Sequence, residues 1–375
     1  MELNINDHEL FKVFLNDTLF NNKTKNDIEE GSNSTVELIV RPECNQKCEY
    51  CYITKYGDKL YPKELRVDNK TIINNIKMLL EYFYNNKCYV KSWELFAGDM
   101  FYDDLFFDII ELFYDYYLKI KNNHNDIYKN TVDLEELNDE NYNRSLQENV
   151  ISIPCNFSFC HSPEKIKRFK EVFYRMLEVN TYISLSYSTD GIYAIDHREK
   201  RTTVTQEFYN RVFELCNELT YGCHPMISYE NVDVAIDNYE WWKEMFKNHL
   251  YDLPDFIPCM LEVRNEGWTE ESIDKYLKFL DYIVDDRIKI YNNDLELFVR
   301  QVFGNDLVID KTKPVGPKSM DPISLKVVTK NQNRMSCTLG HSLCINCAHL
   351  TFVPCHRLAY PFFEGGKFVI DKNNE

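Results

Sequence analysis

The chain is poor in glycine and proline, with 11 Gly and 12 Pro among 375 residues, so a collagen-like or low-complexity protein is excluded. It also lacks an excess of basic residues, because 43 Lys and Arg stand against 60 Asp and Glu and give a net charge of −17. This balance disfavours a protein that binds nucleic acid or an anionic membrane surface through Lys and Arg. Hydrophobic residues make up 44% of the chain, which is enough for a substantial core.

No hydrophobic run is long enough to span a membrane. The most apolar stretch, residues 105–118, is interrupted by Asp108, Glu111 and Asp115. The first ten residues, MELNINDHEL, contain acidic side chains where a secretory signal would have basic and then apolar ones. We therefore expect a cytoplasmic protein without a membrane segment.

Cysteine is abundant, with 13 residues in the chain. Disulfides are not expected in a reducing cytoplasm, where clustered thiols indicate metal binding or catalysis. Seven of the thirteen form two clusters: Cys44, Cys48 and Cys51, and then Cys337, Cys344, Cys347 and Cys355. The other six are interpreted as small buried hydrophobic residues: Cys88, Cys155, Cys160, Cys216, Cys223 and Cys259.

Strand and helix patterns alternate along most of the chain. Strand patterns occur at 36–40, 93–97, 150–157, 183–188, 225–229 and 256–263. Helical spacing of apolar residues follows each of them, at 68–83, 105–116, 162–177, 205–219, around Trp241, and at 270–284. Six such βαβ units predict an α/β fold with a parallel sheet, either a barrel or an open part of one. In such sheets the chemistry lies at the C-terminal ends of the strands.

Three departures from this alternation give the expected domain boundaries. Residues 1–33 are polar and form an N-terminal extension, and residues 122–149, dense in Asn, Asp and Glu, form a surface insertion in a barrel domain at 34–310. Residues 311–322 contain three prolines and a glycine, as is typical of a linker. A Cys-rich C-terminal module at 323–375 follows.

The first cysteine cluster comes directly after the first predicted strand, in the segment CNQKCEYC that begins at Cys44. Three thiolates on one loop can hold three irons of a cubane iron–sulfur cluster and leave the fourth iron open. A closed structural zinc site would need a fourth ligand from elsewhere in the chain. An open iron is useful only where something else binds to it.

This CxxxCxxC segment resembles the signature of the radical S-adenosylmethionine (SAM) superfamily, and the resemblance extends over about residues 34–360. It implies a partial (β/α)6 TIM-like barrel of the radical SAM type, followed by a small Cys-rich auxiliary module. It also implies a 4Fe–4S cluster on Cys44, Cys48 and Cys51 whose fourth iron binds SAM. Reduction of this cluster, by a donor such as flavodoxin or ferredoxin, would split SAM into a 5′-deoxyadenosyl radical that removes a substrate hydrogen.

The resemblance further implies SAM contacts at the strand ends. Tyr50 stands where the family has an aromatic residue beside the adenine. Ala97, Gly98 and Asp99 resemble a motif whose backbone holds SAM's amino group, although Ala and Asp replace the family's Gly and Glu. An ordinary strand-end turn at Gly98 is the alternative.

The remaining SAM contacts that the resemblance implies follow the third and fourth strands. They are Asn156, Ser188, Asp190 and Arg198. Arg198 would pair with SAM's carboxylate through its forked guanidinium, with Arg201 as the alternative partner. A solvated surface charge is the competing interpretation of either arginine.

The second cysteine cluster provides four thiols within 19 residues and can close a four-ligand site. Its pattern resembles the start of the SPASM or twitch extension of radical SAM enzymes that modify peptides and proteins. This implies an auxiliary 4Fe–4S cluster on Cys337, Cys344, Cys347 and Cys355, with zinc or no metal as alternatives. On a strand, Cys344 and Cys347 would point to opposite faces, so they share a metal only if a turn runs between them.

Together these features predict a radical SAM enzyme, an oxidoreductase of the anaerobic maturase type, that acts on a peptide or protein side chain. The substrate class rests on the resemblance alone. Two alternatives stay open, namely a radical SAM enzyme for a small molecule or RNA, and a metal-binding scaffold without turnover. The sequence singles out no catalytic acid or base.

Overall fold

The computed structural model describes residues 35–48, 51–85, 90, 92–123, 149–193, 205–219, 221–245, 262–263, 267–290, 343–353 and 366–367. The chain folds as two compact units, Met1–Leu185 together with Cys337–Glu375, and Ser186–Ser336. Among the described helices, none combines the length and the hydrophobicity needed to cross a bilayer.

Strands and helices alternate over much of the described chain. The strands are β1 (Thr35–Arg41), β2 (Ser92–Ala97), β3 (Asn149–Cys155), β4 (Thr181–Ser188), β5 (Gly222–His224), β6 (Met226–Ile227), β7 (Glu262–Val263), β8 (Leu343–Asn346), β9 (Thr351–Val353) and β10 (Gly366–Lys367). The α-helices are α1 (Tyr52–Leu60), α2 (Asn69–Asn85), α3 (Leu105–Asn123), α4 (Pro163–Leu177), α5 (Gln206–Leu219), α6 (Ala235–Met245) and α7 (Glu270–Ile290).

The first unit is built on a mostly parallel sheet whose strands lie in the order β10-β9-β8-β1-β2-β3-β4. Strand β1 pairs in parallel with both β2 and β8, and β2 pairs in parallel with β3. Strands β8, β9 and β10 are joined by antiparallel pairs. Six of the seven residues of β1 are buried, as is typical of a parallel strand that is covered on both faces.

The core of this unit fixes the position of β2. Trp93 is fully buried, and its ring meets Phe83 of α2 and Phe113 of α3 edge-on, with centroids 5.6 and 5.1 Å away. Its indole N–H donates to the hydroxyl of Tyr117 (2.9 Å), which in turn donates to the carbonyl of Val90 (2.9 Å). Every polar atom of this buried chain therefore has a partner, and β2 is held against both flanking helices.

The second unit begins within β4. Ser186–Ser188 pair in parallel with β5, and β6 and β7 form a separate parallel pair. Helices α6 and α7 are joined by Asp286, which accepts hydrogen bonds from the hydroxyl of Tyr239 (2.9 Å) and from the Lys243 ammonium (2.8 Å).

The structure confirms the α/β class. Most predicted strands and helices agree with it where their residues are described, but the third strand ends at Cys155 rather than at residue 157, and of the fifth predicted strand, 225–229, only Met226–Ile227 form a strand, β6. Two predicted helix starts are also confirmed, because Asp68 accepts from the N–H of Thr71 and Ser162 accepts from the N–H of Lys165. The described strands do not show a barrel. Helix α1, strand β5 and the strands β8 to β10 were not predicted as elements.

The predicted domain boundaries stay predictions. The N-terminal extension at 1–33 and the linker at 311–322 lie outside the described residues, as does most of the insertion at 122–149. Asn122 and Asn123 end α3 and Asn149 begins β3. The sixth predicted strand, 256–263, is described only at its last two residues, which form β7.

Candidate metal centre

Three segments of the first unit meet at the C-terminal edge of its sheet. They are the cysteine loop after β1, residues 98–100 after β2, and residues 156–158 after β3. Because β1, β2 and β3 are parallel neighbours, their C-terminal ends lie at the same edge, as the sequence predicts for a site.

Gly98 packs directly against the backbone of the cysteine loop. Its N–H donates to the carbonyl of Arg41 (2.9 Å), and the N–H of Asp99 donates to the carbonyl of Glu43 (2.8 Å). A Cβ atom at position 98 would lie 2.3 Å from the carbonyl oxygens of Pro42 and Glu43, so no side chain fits there. The residue is therefore more than an ordinary turn glycine, because it fixes the start of the cysteine loop to the end of β2.

Cys44 lies half-buried beside this contact, and its sulfur accepts from the backbone N–H of Gln46 (3.3 Å). Burial raises the pKa of the Cys44 thiol to about 12, the Gln46 amide opposes the rise, and the negative charges of Asp99, Cys48 and Cys51 add to it. The three thiols are therefore close enough to interact electrostatically. A bound metal would reverse this balance, because a coordinating thiol loses its proton.

The other two thiols follow on the same loop. The Cys48 thiol is buried and donates to the side-chain oxygen of Gln46 (3.6 Å). Cys51 directly precedes α1, and its carbonyl accepts from the N–H of Lys55 (3.0 Å). None of the three cysteines forms a disulfide bond.

Asp99 is buried and connects the ends of β2 and β3. One carboxylate oxygen accepts from the Ser158 hydroxyl (2.8 Å), and the other accepts from the N–H of Phe101 (3.1 Å). Burial raises the pKa of the Asp99 carboxyl, while these hydrogen bonds and the charge of Arg41 oppose the rise. Its side chain is thus engaged within the protein.

Asn156 joins β3 to the cysteine loop. Its side-chain oxygen accepts from the N–H of Ser158 (2.9 Å), and its amide nitrogen donates to the side-chain oxygen of Asn45 (2.7 Å). The same nitrogen lies 3.9 Å from the Cys44 sulfur. The sequence indicated Asn156 but not Asn45 or Ser158, although an Asn-x-Ser segment after a strand is typical of side chains that bond the local backbone.

Phe157 has a φ of 56°, in the left-handed region that bulky residues rarely adopt. Its side chain is fully buried and packs on Phe159, with centroids 5.5 Å apart. Strain of this kind persists where the surrounding packing enforces it, and it is common at functional sites.

The first cluster offers three soft thiols on one loop, which is the ligand type that iron–sulfur clusters use. Over the described ranges, no group of three or more His, Cys, Asp or Glu is arranged to hold a metal ion.

The second cysteine cluster is described only in part. Cys344 on β8 is buried against Ile39, Leu60 and Val353 in a small apolar core. Cys347 follows β8 in a turn, its N–H donates to the carbonyl of Ile39 (2.9 Å), and burial raises the pKa of its thiol. Cys337 and Cys355 lie outside the described residues, so the predicted four-thiol site stays a prediction.

The remaining predicted SAM contacts are distributed over both units. Ala97 is the last residue of β2, whereas Ser188 ends β4 and the buried Asp190 follows it in the second unit. Tyr50 and Arg198 lie outside the described residues.

No protein-family model matches this chain, and no curated protein matches its sequence.

Proposed function

We propose that this chain is a radical SAM enzyme that modifies a peptide or protein side chain. The observation that carries the proposal is the loop with Cys44, Cys48 and Cys51, which is fixed to the ends of two neighbouring parallel strands at Gly98 and Asn156. A loop with three cysteines at this edge of a parallel sheet is suited to hold a cofactor where the chemistry of such sheets takes place.

Cys44, Cys48 and Cys51 would hold a 4Fe–4S cluster and leave its fourth iron for SAM. When bound, such a cluster would supply the electron for reductive cleavage of SAM and, through it, hydrogen-atom abstraction from the substrate. The proposal includes the partial barrel that the resemblance implies, an electron donor of the flavodoxin or ferredoxin type, and an auxiliary cluster in the C-terminal segment.

The protein's own residues would position the cluster and keep it away from water. Gly98 brings the backbone of the cysteine loop against β2, and the Cys48 side chain is buried. The N–H groups of Gly98 and Asp99 are already bonded to loop carbonyls. SAM's ammonium group is a donor, so it would need carbonyl oxygens of the 97–99 segment as its acceptors.

Anaerobic SAM cleavage tests the proposal. The reconstituted protein is mixed with SAM and dithionite, and 5′-deoxyadenosine is measured for the wild type and for Cys48→Ala. We expect formation by the wild type and a loss of at least about a hundredfold in the variant, because the missing thiolate removes one cluster ligand.

Cys216→Ala is the matched control, since Cys216 is a buried cysteine of α5 that lies outside the cysteine loop and forms no disulfide. It should cleave SAM like the wild type. A wild-type protein that assembles a 4Fe–4S cluster but gives no nucleoside, with or without candidate peptides, would favour a metal-binding scaffold.

A further inference from the structure

We propose that Asn156 is a positioning residue that holds the Cys44 side of the loop, provides an N–H group beside the Cys44 sulfur, and thereby raises the reduction potential of the cluster. The inference deepens the proposed function and rests on it, because it concerns a residue of the same site. The sequence predicts Asn156 as a contact to SAM, and in the structure its side chain also bonds Ser158 and Asn45.

The orientation of the Asn156 amide follows from its neighbours. The N–H of Ser158 can only donate, so the atom 2.9 Å from it must be the side-chain oxygen of Asn156. The amide nitrogen then faces the cysteine loop, 2.7 Å from the oxygen of Asn45 and 3.9 Å from the sulfur of Cys44. With the Asn156 amide inverted, its nitrogen would face the N–H of Ser158, which is a second donor. If the Asn45 amide kept its orientation, the Asn156 oxygen would also face the Asn45 oxygen, which is a second acceptor.

The segment that carries Asn156 is held rigidly. The next residue, Phe157, is kept in the left-handed region by full burial of its ring. Ser158 is bonded through its hydroxyl to the buried Asp99 carboxylate (2.8 Å), and Phe159 stacks on Phe101 with centroids 4.2 Å apart. Asn156 therefore cannot move away from the loop without disturbing the ends of both β2 and β3.

Such an N–H group has a defined electrostatic effect on a cluster. Reduction adds a negative charge that is shared with the ligand sulfurs, and donors near those sulfurs stabilise the reduced form. The backbone N–H of Gln46, 3.3 Å from the Cys44 sulfur, is one such group, and Asn156 adds a second. Removing the Asn156 donor should make reduction less favourable.

The test compares Asn156→Asp and Asn156→Leu with the wild type by potentiometric titration of the reduced cluster, followed by EPR. Asp keeps the acceptor for Ser158 but loses the donor, and Leu removes both polar atoms without adding a charge. We expect the reduction equilibrium to fall about tenfold in Asn156→Leu, which for one electron is about 59 mV towards lower potential, and to fall further in Asn156→Asp, whose carboxylate adds a negative charge. Because Asn156→Leu adds no charge, the shift of its reduction potential measures the loss of the donor alone.

Asn149→Ala is the matched control, because Asn149 is an equally buried asparagine at the opposite end of β3, where its amide donates to the carbonyl of Asn180 (3.3 Å). Its cluster should keep the wild-type potential. Wild-type potentials in both Asn156 variants would overturn the inference and leave the proposed function intact, whereas the absence of a 4Fe–4S cluster from the wild type would overturn both.

A second readout applies if the Asn156 variants do not load a cluster. In the cluster-free protein, backbone hydrogen exchange across residues 42–48 should be about tenfold faster in Asn156→Leu than in the wild type, because the bond to Asn45 is lost. Asn149→Ala should leave exchange in this segment unchanged. Equal exchange in Asn156→Leu and the wild type would overturn the positioning role.

Discussion

At the scale of single residues, the closest approach between β2 and the cysteine loop occurs at Gly98. Its missing side chain lets the carbonyls of Pro42 and Glu43 lie where a Cβ would otherwise be. Those neighbours are backbone atoms of the cysteine loop, which is hydrogen-bonded to the segments after β2 and β3. They therefore cannot move aside as the end of a flexible side chain could. The position therefore tolerates only glycine.

Gly98→Ala should lower the free energy of unfolding by about 1–3 kcal/mol, as overpacking does elsewhere, and should reduce the iron bound per chain. Urea denaturation and iron analysis measure the two effects. Gly57→Ala in α1 is the control, because a Cβ there meets only Ile53 Cγ2 at 3.5 Å. A helical glycine with room for a methyl group is stabilised by alanine, by about 0.4–1 kcal/mol. Equal stability and iron content in Gly98→Ala and the wild type would contradict this account.

Residue spacing made part of the site predictable. Cys44, Cys48 and Cys51 are close along the chain, so the sequence alone indicated a shared function. The contact between Asn45 and Asn156 joins positions 111 residues apart, and local patterns carry no information about it. Asp99 was expected as a contact to SAM. Its burial and its hydrogen bond to Ser158 could not be predicted, because they depend on how the ends of β2 and β3 pack.

At the scale of elements, β2 is held between α2 and α3 by the hydrogen-bonded chain from Trp93 through Tyr117 to Val90. The Tyr117 hydroxyl is both an acceptor and a donor there. The position of β2 matters for the site because Gly98 directly follows this strand.

Tyr117→Phe should lower the free energy of unfolding by about 1–3 kcal/mol, because it leaves the Trp93 N–H and the Val90 carbonyl buried without partners. Tyr174→Phe is the control, since that ring is half exposed on α4 and surface changes of this kind alter stability by less than about 0.5 kcal/mol. Urea denaturation followed by circular dichroism measures both. A loss that is no larger at Tyr117 than at Tyr174 would contradict the role of the buried chain.

Elements with local signals were predictable, and those that depend on distant partners were not. Periodicity indicated α2 to α7, and the caps at Asp68 and Ser162 marked two helix starts. Strand β8 is only four residues long and pairs with β1, about 300 residues earlier in the chain. Nothing near β8 in the sequence identifies that partner.

At the scale of the whole molecule, the C-terminal cysteines are linked to the first unit through β8. Cys344 pairs in register with Glu37, and the N–H of Cys347 donates to the carbonyl of Ile39 on the strand that leads into the cysteine loop. If the second cluster binds iron, as proposed, both metal centres belong to the same compact unit of the chain.

Metal analysis after anaerobic reconstitution should give about eight irons per chain for the wild type, as two 4Fe–4S clusters require. A variant with both Cys337→Ala and Cys355→Ala should keep about four, because the first cluster does not use these residues. Zinc is measured in the same samples. About four irons together with one zinc in the wild type would contradict the auxiliary cluster and support a four-thiol zinc site.

The central claim is that Cys44, Cys48 and Cys51 leave one iron open for SAM. The most direct test is electron–nuclear double resonance on the reduced protein with SAM that is isotope-labelled at its amino nitrogen. The account predicts a hyperfine coupling from the labelled nitrogen to the cluster in the wild type and in Cys216→Ala. A reduced 4Fe–4S cluster that shows no coupling at saturating SAM would contradict it.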